Sequence, residues 1–191
     1  MAGASLLSAE RAVLVVVDIQ ERLLPVISDG QEVAANTVRL IRGAKELGVP
    51  IVLTEQYPKG LGPTVPKVRE AVEEARAASR KVAYVAKTAF GCTGDEAFVR
   101  ALKELGRKQV VLCGIEAHIC VLQTALGLIA EGYETFVAAD AVGSRKMSHC
   151  ILALKRLMQA GATLAVTESV LYEMLRDSGH PAFKAICRLV K

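Results

Sequence analysis

No run of apolar residues in this sequence approaches the ~20 needed to cross a bilayer, so a membrane-spanning protein is not expected. Neither sign of charge dominates: 24 lysines and arginines face 20 aspartates and glutamates, and the basic residues are scattered. A stripe built for nucleic acid or for an acidic membrane surface finds no support in that distribution. Glycine-rich phosphate loops are missing too, because neither GLGP nor GCTG has the spacing after a strand that a dinucleotide site or P-loop requires. The five cysteines (Cys92, Cys113, Cys120, Cys150 and Cys187) are odd in number and include no CxxC pair. Zinc-ribbon, thioredoxin-like and disulfide-framework readings lose support, and most of these thiols read as small buried hydrophobes in a reducing, cytoplasmic setting. No internal repeat, low-complexity tract or interdomain linker interrupts the chain. The opening MAGASLLSAERAVLVVVDIQ has no basic leader before its apolar run, and Asp18 closes that run. It is expected to be a buried strand rather than a secretory signal.

What the sequence does have is apolar mass in short β-rich runs, set between longer segments of helical period. Its 191 residues are 52% apolar and 23% charged, which suits one folded domain over residues 1–191 with a sizeable core. Strands are expected to begin near Ala12, Ile51, Val82, Gln109, Tyr133 and Thr163. Helices are expected over about 31–47, 67–78, 95–105, 117–130 and 148–160, with two short ones closing the chain, the second starting at Pro181. Gly48 and Pro50 stand where the first helix must stop. Residues 55–66 (EQYPKGLGPTVP) hold three prolines and two glycines and are expected to be loop. Strand and helix alternating in this way predict a three-layer α/β/α fold with a six-stranded, Rossmann-like parallel sheet. In such sheets ligands bind at the carboxyl ends of the strands, near a switch in strand order.

Three strand exits carry chemistry. The first delivers Asp18, followed by Gln20; the third delivers Lys87; the fourth leads through Gly114 to Cys120 in the first turn of the next helix. A carboxylate directly after five apolar residues is costly to bury unless paired or functional. A thiol attacks only as thiolate, which a helix start and a nearby ammonium both favour. An adjacent carboxylate can take the thiol proton and later activate water, and amides at the helix start can receive an oxyanion. Cys120 is therefore expected to have a depressed pKa, with Asp18 pulling in the opposite direction. Taken singly, each residue has a plainer reading: a turn cap, a solvated lysine, a packed thiol.

The segments VVVDIQERLLP, LTEQYPKGLGPTVP, AKTAFGC, GIEAHICVLQTALGL and GYETFVAADAVGSR together resemble the isochorismatase-like cysteine hydrolases, and within them the isochorismatase domain-containing proteins. The likeness runs from about Ala12 to the C-terminal HPAFKAI. It implies a Cys–Asp–Lys triad at Cys120, Asp18 and Lys87. It also implies a cis peptide at Ile115–Glu116 that helps turn the amides around Ala117 to Cys120 toward a substrate oxygen. Homo-oligomers, dimers or larger, are implied as well. The nicotinamidase branch of the family binds a divalent metal after its second strand, where this chain reads TEQYPKGLGPT with no histidine or aspartate. His118, His149 and His180 fall in no ligand-like spacing. No metal and no cofactor are expected.

For Glu55, Gln56 and Tyr57 both substrate contact and simple loop solvation remain open, and Gln20 is a further candidate contact. Phe90 either walls the pocket or anchors its loop. His118 could line the site, but its place on a first helical turn favours surface or interface. Ser144 and Arg145 could close the rim or an oligomer contact. The sequence thus reads as a metal-free cysteine hydrolase acting on a small amide, ester or vinyl-ether-like molecule. The rival reading is a non-enzymatic oligomer that keeps the pocket for ligand binding or scaffolding.

Overall fold

The computed structural model describes residues 5–191. Six strands, β1 (Ala12–Val17), β2 (Ile51–Gln56), β3 (Val82–Lys87), β4 (Gln109–Ile115), β5 (Glu134–Gly143) and β6 (Thr163–Ala165), form one sheet in the order β3-β2-β1-β4-β5-β6. Every pairing is parallel. The all-parallel sheet expected from the sequence is what the chain forms, and no antiparallel pairing enters among these strands. All six residues of β1 are buried, as a central strand covered on both faces requires.

Helices pack on both faces. α1 (Gly30–Leu47), α3 (Pro66–Ala77), α7 (Thr167–Leu175) and α8 (Phe183–Val190) share one apolar core with Leu14 and Val16. α4 (Glu96–Leu105), α5 (Leu122–Ala130) and α6 (Met147–Gln159) cover the other, with Val13, Val15 and Val17. The alternation of β1 side chains therefore feeds two cores, and each fully buried valine contributes roughly 1.5 kcal/mol or more. α1 stops at Gly48, which adopts φ 72° and donates its amide to Ala44 and Lys45 carbonyls. Asp95 starts α4 by accepting hydrogen bonds from the Ala97 and Phe98 amides at 2.9 and 3.2 Å.

Three stretches depart from the sequence expectation. β2 runs on to Gln56, and a short helix, α2 (Pro58–Leu61), occupies part of the segment expected to be loop. Pro58 suits a first helical position, which is why a proline-rich stretch can still turn once. β5, expected over Tyr133–Ala138, continues to Gly143, because its pairing with β4 shifts register between Leu112 and Gly114 and the strand resumes beyond the irregularity. The helix expected from Ala117 begins instead as one turn of π-helix, Ala117–Val121, closed by the Val121 amide on the Glu116 carbonyl at 3.2 Å.

From β1 the chain builds outward through β2 to β3, then crosses back so that β4 lies on the other side of β1. The carboxyl ends of β1 and β4 therefore flank the switch in strand order, where a crevice opens in this class of sheet. Among the described residues no helix is long and apolar enough to cross a membrane.

Candidate active site

Asp18 follows β1 directly and is fully buried, with a left-handed backbone at φ 53° that aspartate tolerates better than most residues. Its carboxylate is held on both oxygens. Oδ1 accepts the Thr54 hydroxyl at 2.6 Å and Oδ2 accepts Lys87 Nζ at 2.7 Å. The Asp18 and Lys87 side chains have no exposed surface, so this is a buried ion pair. Such a pair persists only when its remaining hydrogen-bonding capacity is met. Lys87 meets it by also donating to Gln56 Oε1 at 2.8 Å and to the Ala89 and Phe90 carbonyls, each at 3.2 Å.

The register of the sheet explains this placement. Val17 pairs with Thr54 on one side and with Gly114 on the other, and Gln56 pairs with Lys87. Strands β1, β2 and β3 thus bring acid, hydroxyl and ammonium to one edge, and β4 adds the segment that carries Cys120. Gly114 is needed there: at φ 119° a Cβ would lie 2.0 Å from the Val17 carbonyl oxygen.

Cys120 is 6% exposed and sits in the π turn. The expected depression of its pKa is overturned. Burial pushes the thiol up first, and the negative charge of Asp18, together with its hydrogen bond, pushes it further; Lys87 pulls the other way and loses. The resting group is a thiol beside a carboxylate, not a preformed thiolate. The segment is anchored from below, where Thr124 donates to the Cys120 carbonyl at 2.6 Å and accepts the Cys92 amide at 2.9 Å. Cys92 lies close by, its sulfur 4.0 Å from the Thr54 hydroxyl, and burial pushes its thiol up to about 11.

The other expected residues divide by what their polar atoms already do. Gln20 is buried; its amide donates to the Gln56 and Gly62 carbonyls at 3.0 and 2.7 Å and accepts the Gln56 amide at 2.8 Å. It staples the first two strand exits and the following segment together. Glu55 is likewise taken up, accepting the Thr64 amide and hydroxyl at 2.6 and 2.7 Å and the Tyr84 hydroxyl at 2.7 Å. Gln56 reaches the charged cluster through Lys87, and its Nε2 donates to the Thr88 carbonyl at 2.7 Å. Tyr57 and Phe90 leave 54% and 56% of their surface exposed. Both are tied by backbone to Lys87: the Tyr57 amide donates to the Lys87 carbonyl at 2.8 Å, and the Phe90 carbonyl accepts Lys87 Nζ. With more than half of its surface exposed, Phe90 is not a buried loop anchor.

The peptide bond between Ile115 and Glu116 is cis. Glu116 is buried and accepts the Arg145 amide and Nε at 3.2 and 3.1 Å, which joins the exits of β4 and β5. Ala117 is fully buried. His118 Nδ1 lies 2.9 Å from the Ser144 hydroxyl, and its ring centroid is 4.9 Å from that of His149. Desolvation pushes His118 below its ordinary pKa despite Glu116 nearby. Thr54 and Thr124 escaped the reading of the sequence; the one available signal was Thr54, a hydroxyl directly after the apolar run Ile51–Leu53 of β2. Among the described residues no group of three or more His, Cys, Asp or Glu is placed to hold a metal ion.

The six-stranded all-parallel sheet, with a buried acid–amine pair at its carboxyl edge and a thiol in the segment after β4, defines a Rossmann-like, three-layer α/β/α protein. The family model of the isochorismatase domain matches residues 12–169, and the chain belongs to the isochorismatase family of hydrolases. It is 41% identical over 191 residues to isochorismatase domain-containing protein 2 of Danio rerio, covering 100% of this chain and 92% of that protein. The fold is shared by many solved structures, among them the following three. The MAR1 ribonuclease of Caenorhabditis elegans superposes with a TM-score of 0.88 at 35% identity, covering 97% of this chain and 92% of that one. The YcaC gene product of Escherichia coli, described as an octameric hydrolase of unknown specificity, gives 0.89 at 28% identity, covering 99% and 91%. YcaC of Pseudomonas aeruginosa, solved with hexane-2,5-diol and covalent acrylamide, gives 0.85 at 28% identity, covering 98% and 96%.

Proposed function

We propose that this chain, acting as one domain, hydrolyses a small amide, ester or vinyl-ether-like substrate through Cys120, Asp18 and Lys87. The observation that carries the reading is the buried Asp18–Lys87 pair, 2.7 Å apart, set against the Cys120 thiol. For an acyl substrate, the Cys120 sulfur bonds to the carbonyl carbon while the thiol proton passes to Asp18. Because the thiol is protonated at rest, transfer and attack run together. Lys87 holds Asp18 in place and offsets the negative charge as the proton leaves the sulfur. Amides of the segment from Ala117 to Cys120 receive the oxyanion. Collapse of the intermediate breaks the bond to the leaving group, which takes the proton from Asp18. Asp18 then deprotonates a water that releases the acyl group and restores the thiol. None of these steps draws on a metal or cofactor. Tyr57 and Phe90, both exposed and each tied by its backbone to Lys87, would offer apolar contact to a small, partly apolar substrate.

The covalent acrylamide in the Pseudomonas relative fits a family site holding a reactive nucleophile. The octameric Escherichia coli relative supports self-association of this chain into a homo-oligomer. Five free cysteines fit the cytoplasmic setting read from the sequence. The test is a hydrolysis screen of small amides and esters, with a short single-stranded RNA included because one relative is named a ribonuclease. Turnover by the wild type should fall at least about a thousandfold in Cys120→Ala. A substrate turned over equally by both proteins would refute the assignment. No turnover of any small molecule, with specific binding retained, would favour the ligand-binding or scaffolding alternative.

A further inference from the structure

Thr54 lies fully buried in β2 and pairs in register with Val17, the residue before Asp18. A hydroxyl has one proton to give and two lone pairs that receive. Around this one, Asp18 Oδ1 is 2.6 Å away, the Val16 carbonyl 3.5 Å and the Cys92 sulfur 4.0 Å. The carboxylate and the carbonyl compete for the single proton. The carboxylate is nearer and carries charge, so it takes it. The Cys92 thiol donates to the hydroxyl oxygen and stays outside that competition.

This contact gives Asp18 what Lys87 alone cannot. A carboxylate held at one oxygen still turns about its bond to Cβ. Held at both, by Thr54 on Oδ1 and Lys87 on Oδ2, it does not. The lone pairs that remain are then fixed relative to the Cys120 thiol, which also hydrogen-bonds to Asp18.

We infer that Thr54 is a positioning residue for Asp18, whose hydroxyl fixes the plane of the carboxylate that receives the Cys120 proton and disperses part of its negative charge. The inference rests on the Cys120–Asp18–Lys87 reading above. A hydrogen bond to an ionised group is stronger than one between neutral groups, and burial away from water strengthens it. The titratable groups that face the carboxylate are Lys87 from β3, Cys92 from the segment between β3 and α4, and Cys120 from the turn after β4. Thr54 carries no charge of its own, so its effect on Cys120 passes through Asp18.

Thr54→Val replaces the hydroxyl by a methyl group and keeps the β-branched shape that suits a strand. The experiment follows iodoacetamide labelling of Cys120 at pH 7 to 8 by mass spectrometry, with circular dichroism melts to check folding. It compares the wild type with Thr54→Val, Thr54→Ser, Asp18→Asn, and Asp18→Asn combined with Thr54→Val. Thr54→Val should slow labelling at least about threefold, because a carboxylate without this donor opposes the thiolate more strongly. Thr54→Ser should restore the wild-type rate. Once Asp18→Asn is made, adding Thr54→Val should change nothing, since the charge through which it acts is gone. On a substrate from the screen, Thr54→Val should lower kcat about tenfold and leave KM unchanged. Faster labelling in Thr54→Val would mean that the variant merely loosens the site, and would overturn the inference. An unchanged rate, an equal effect with and without Asp18, or no rescue by Thr54→Ser would overturn it too. Should Thr54→Val fail to fold, Thr54→Ala enters the same comparison: loosened packing acts with or without Asp18, a lost donor only with it. Labelling no faster in Asp18→Asn than in the wild type would instead strike the reading on which the inference rests.

Discussion

At Cys120 two opposite charges act on one thiol, and their balance decides the chemistry. Asp18 raises the thiol pKa both by its charge and by its hydrogen bond, adding to burial, while Lys87 lowers it. Replacing Asp18 by asparagine keeps the shape, removes the anion and leaves Lys87 bonded to Gln56 and to the Ala89 and Phe90 carbonyls. Cys120 in Asp18→Asn is therefore expected to be more acidic and to react faster with iodoacetamide at pH 7 to 8, although turnover is lost with the proton acceptor. Rates read at each cysteine by mass spectrometry against pH check this. Labelling of Cys120 that is unchanged or slower in the variant would mean that Asp18 does not hold the thiol protonated. A helix start and a lysine suggested the opposite resting state from sequence. What could not be read there was burial, because the 6% exposure of Cys120 depends on how β4, α5 and α6 pack around the π turn that carries it.

Among the elements, the strands were legible because central parallel strands are apolar on both faces and little else in a sequence of this length is. Ala12, Ile51, Val82, Gln109 and Thr163 open strands as expected, and only β5 begins one residue late, at Glu134. The site residues that hang directly on strand ends, Asp18 and Lys87, were legible for the same reason. The π turn before α5 was not, since its sequence, AHICV, has the same apolar spacing as an ordinary first helical turn. Thr124 escaped too, because its role depends on a loop 32 residues away in the chain. Gly114 shows what the β4 exit demands of its backbone. Gly114→Ala places a methyl group 2.0 Å from the Val17 carbonyl at a φ of 119°, so β1 and β4 must separate. Urea denaturation is expected to show a loss of about 3 kcal/mol or more. A loss below about 1 kcal/mol would mean that the strands part at little cost.

Across the whole molecule, buried thiols set a limit on the alkaline side. Cys92 and Cys113 are pushed up to about 11 and about 12 by burial, and Cys120 and Cys150 are also raised. In the unfolded chain these thiols lose their protons near pH 9. The folded state keeps them, so above that point it binds more protons than the unfolded state and stability must fall as pH rises. Each thiol contributes a slope of about 1.4 kcal/mol per pH unit until its folded pKa is reached. Urea midpoints should therefore drop between pH 9 and 11, less steeply in Cys113→Ala, and a flat profile in that window would contradict the burial of these groups. The account as a whole turns on covalent chemistry at one sulfur. The most direct measurement is mass spectrometry of the chain quenched in acid while it turns over an ester from the screen, read peptide by peptide. The account predicts an acyl group on the peptide bearing Cys120, absent from Cys120→Ala. Acylation at Cys92, or continued turnover by Cys120→Ala, would contradict it.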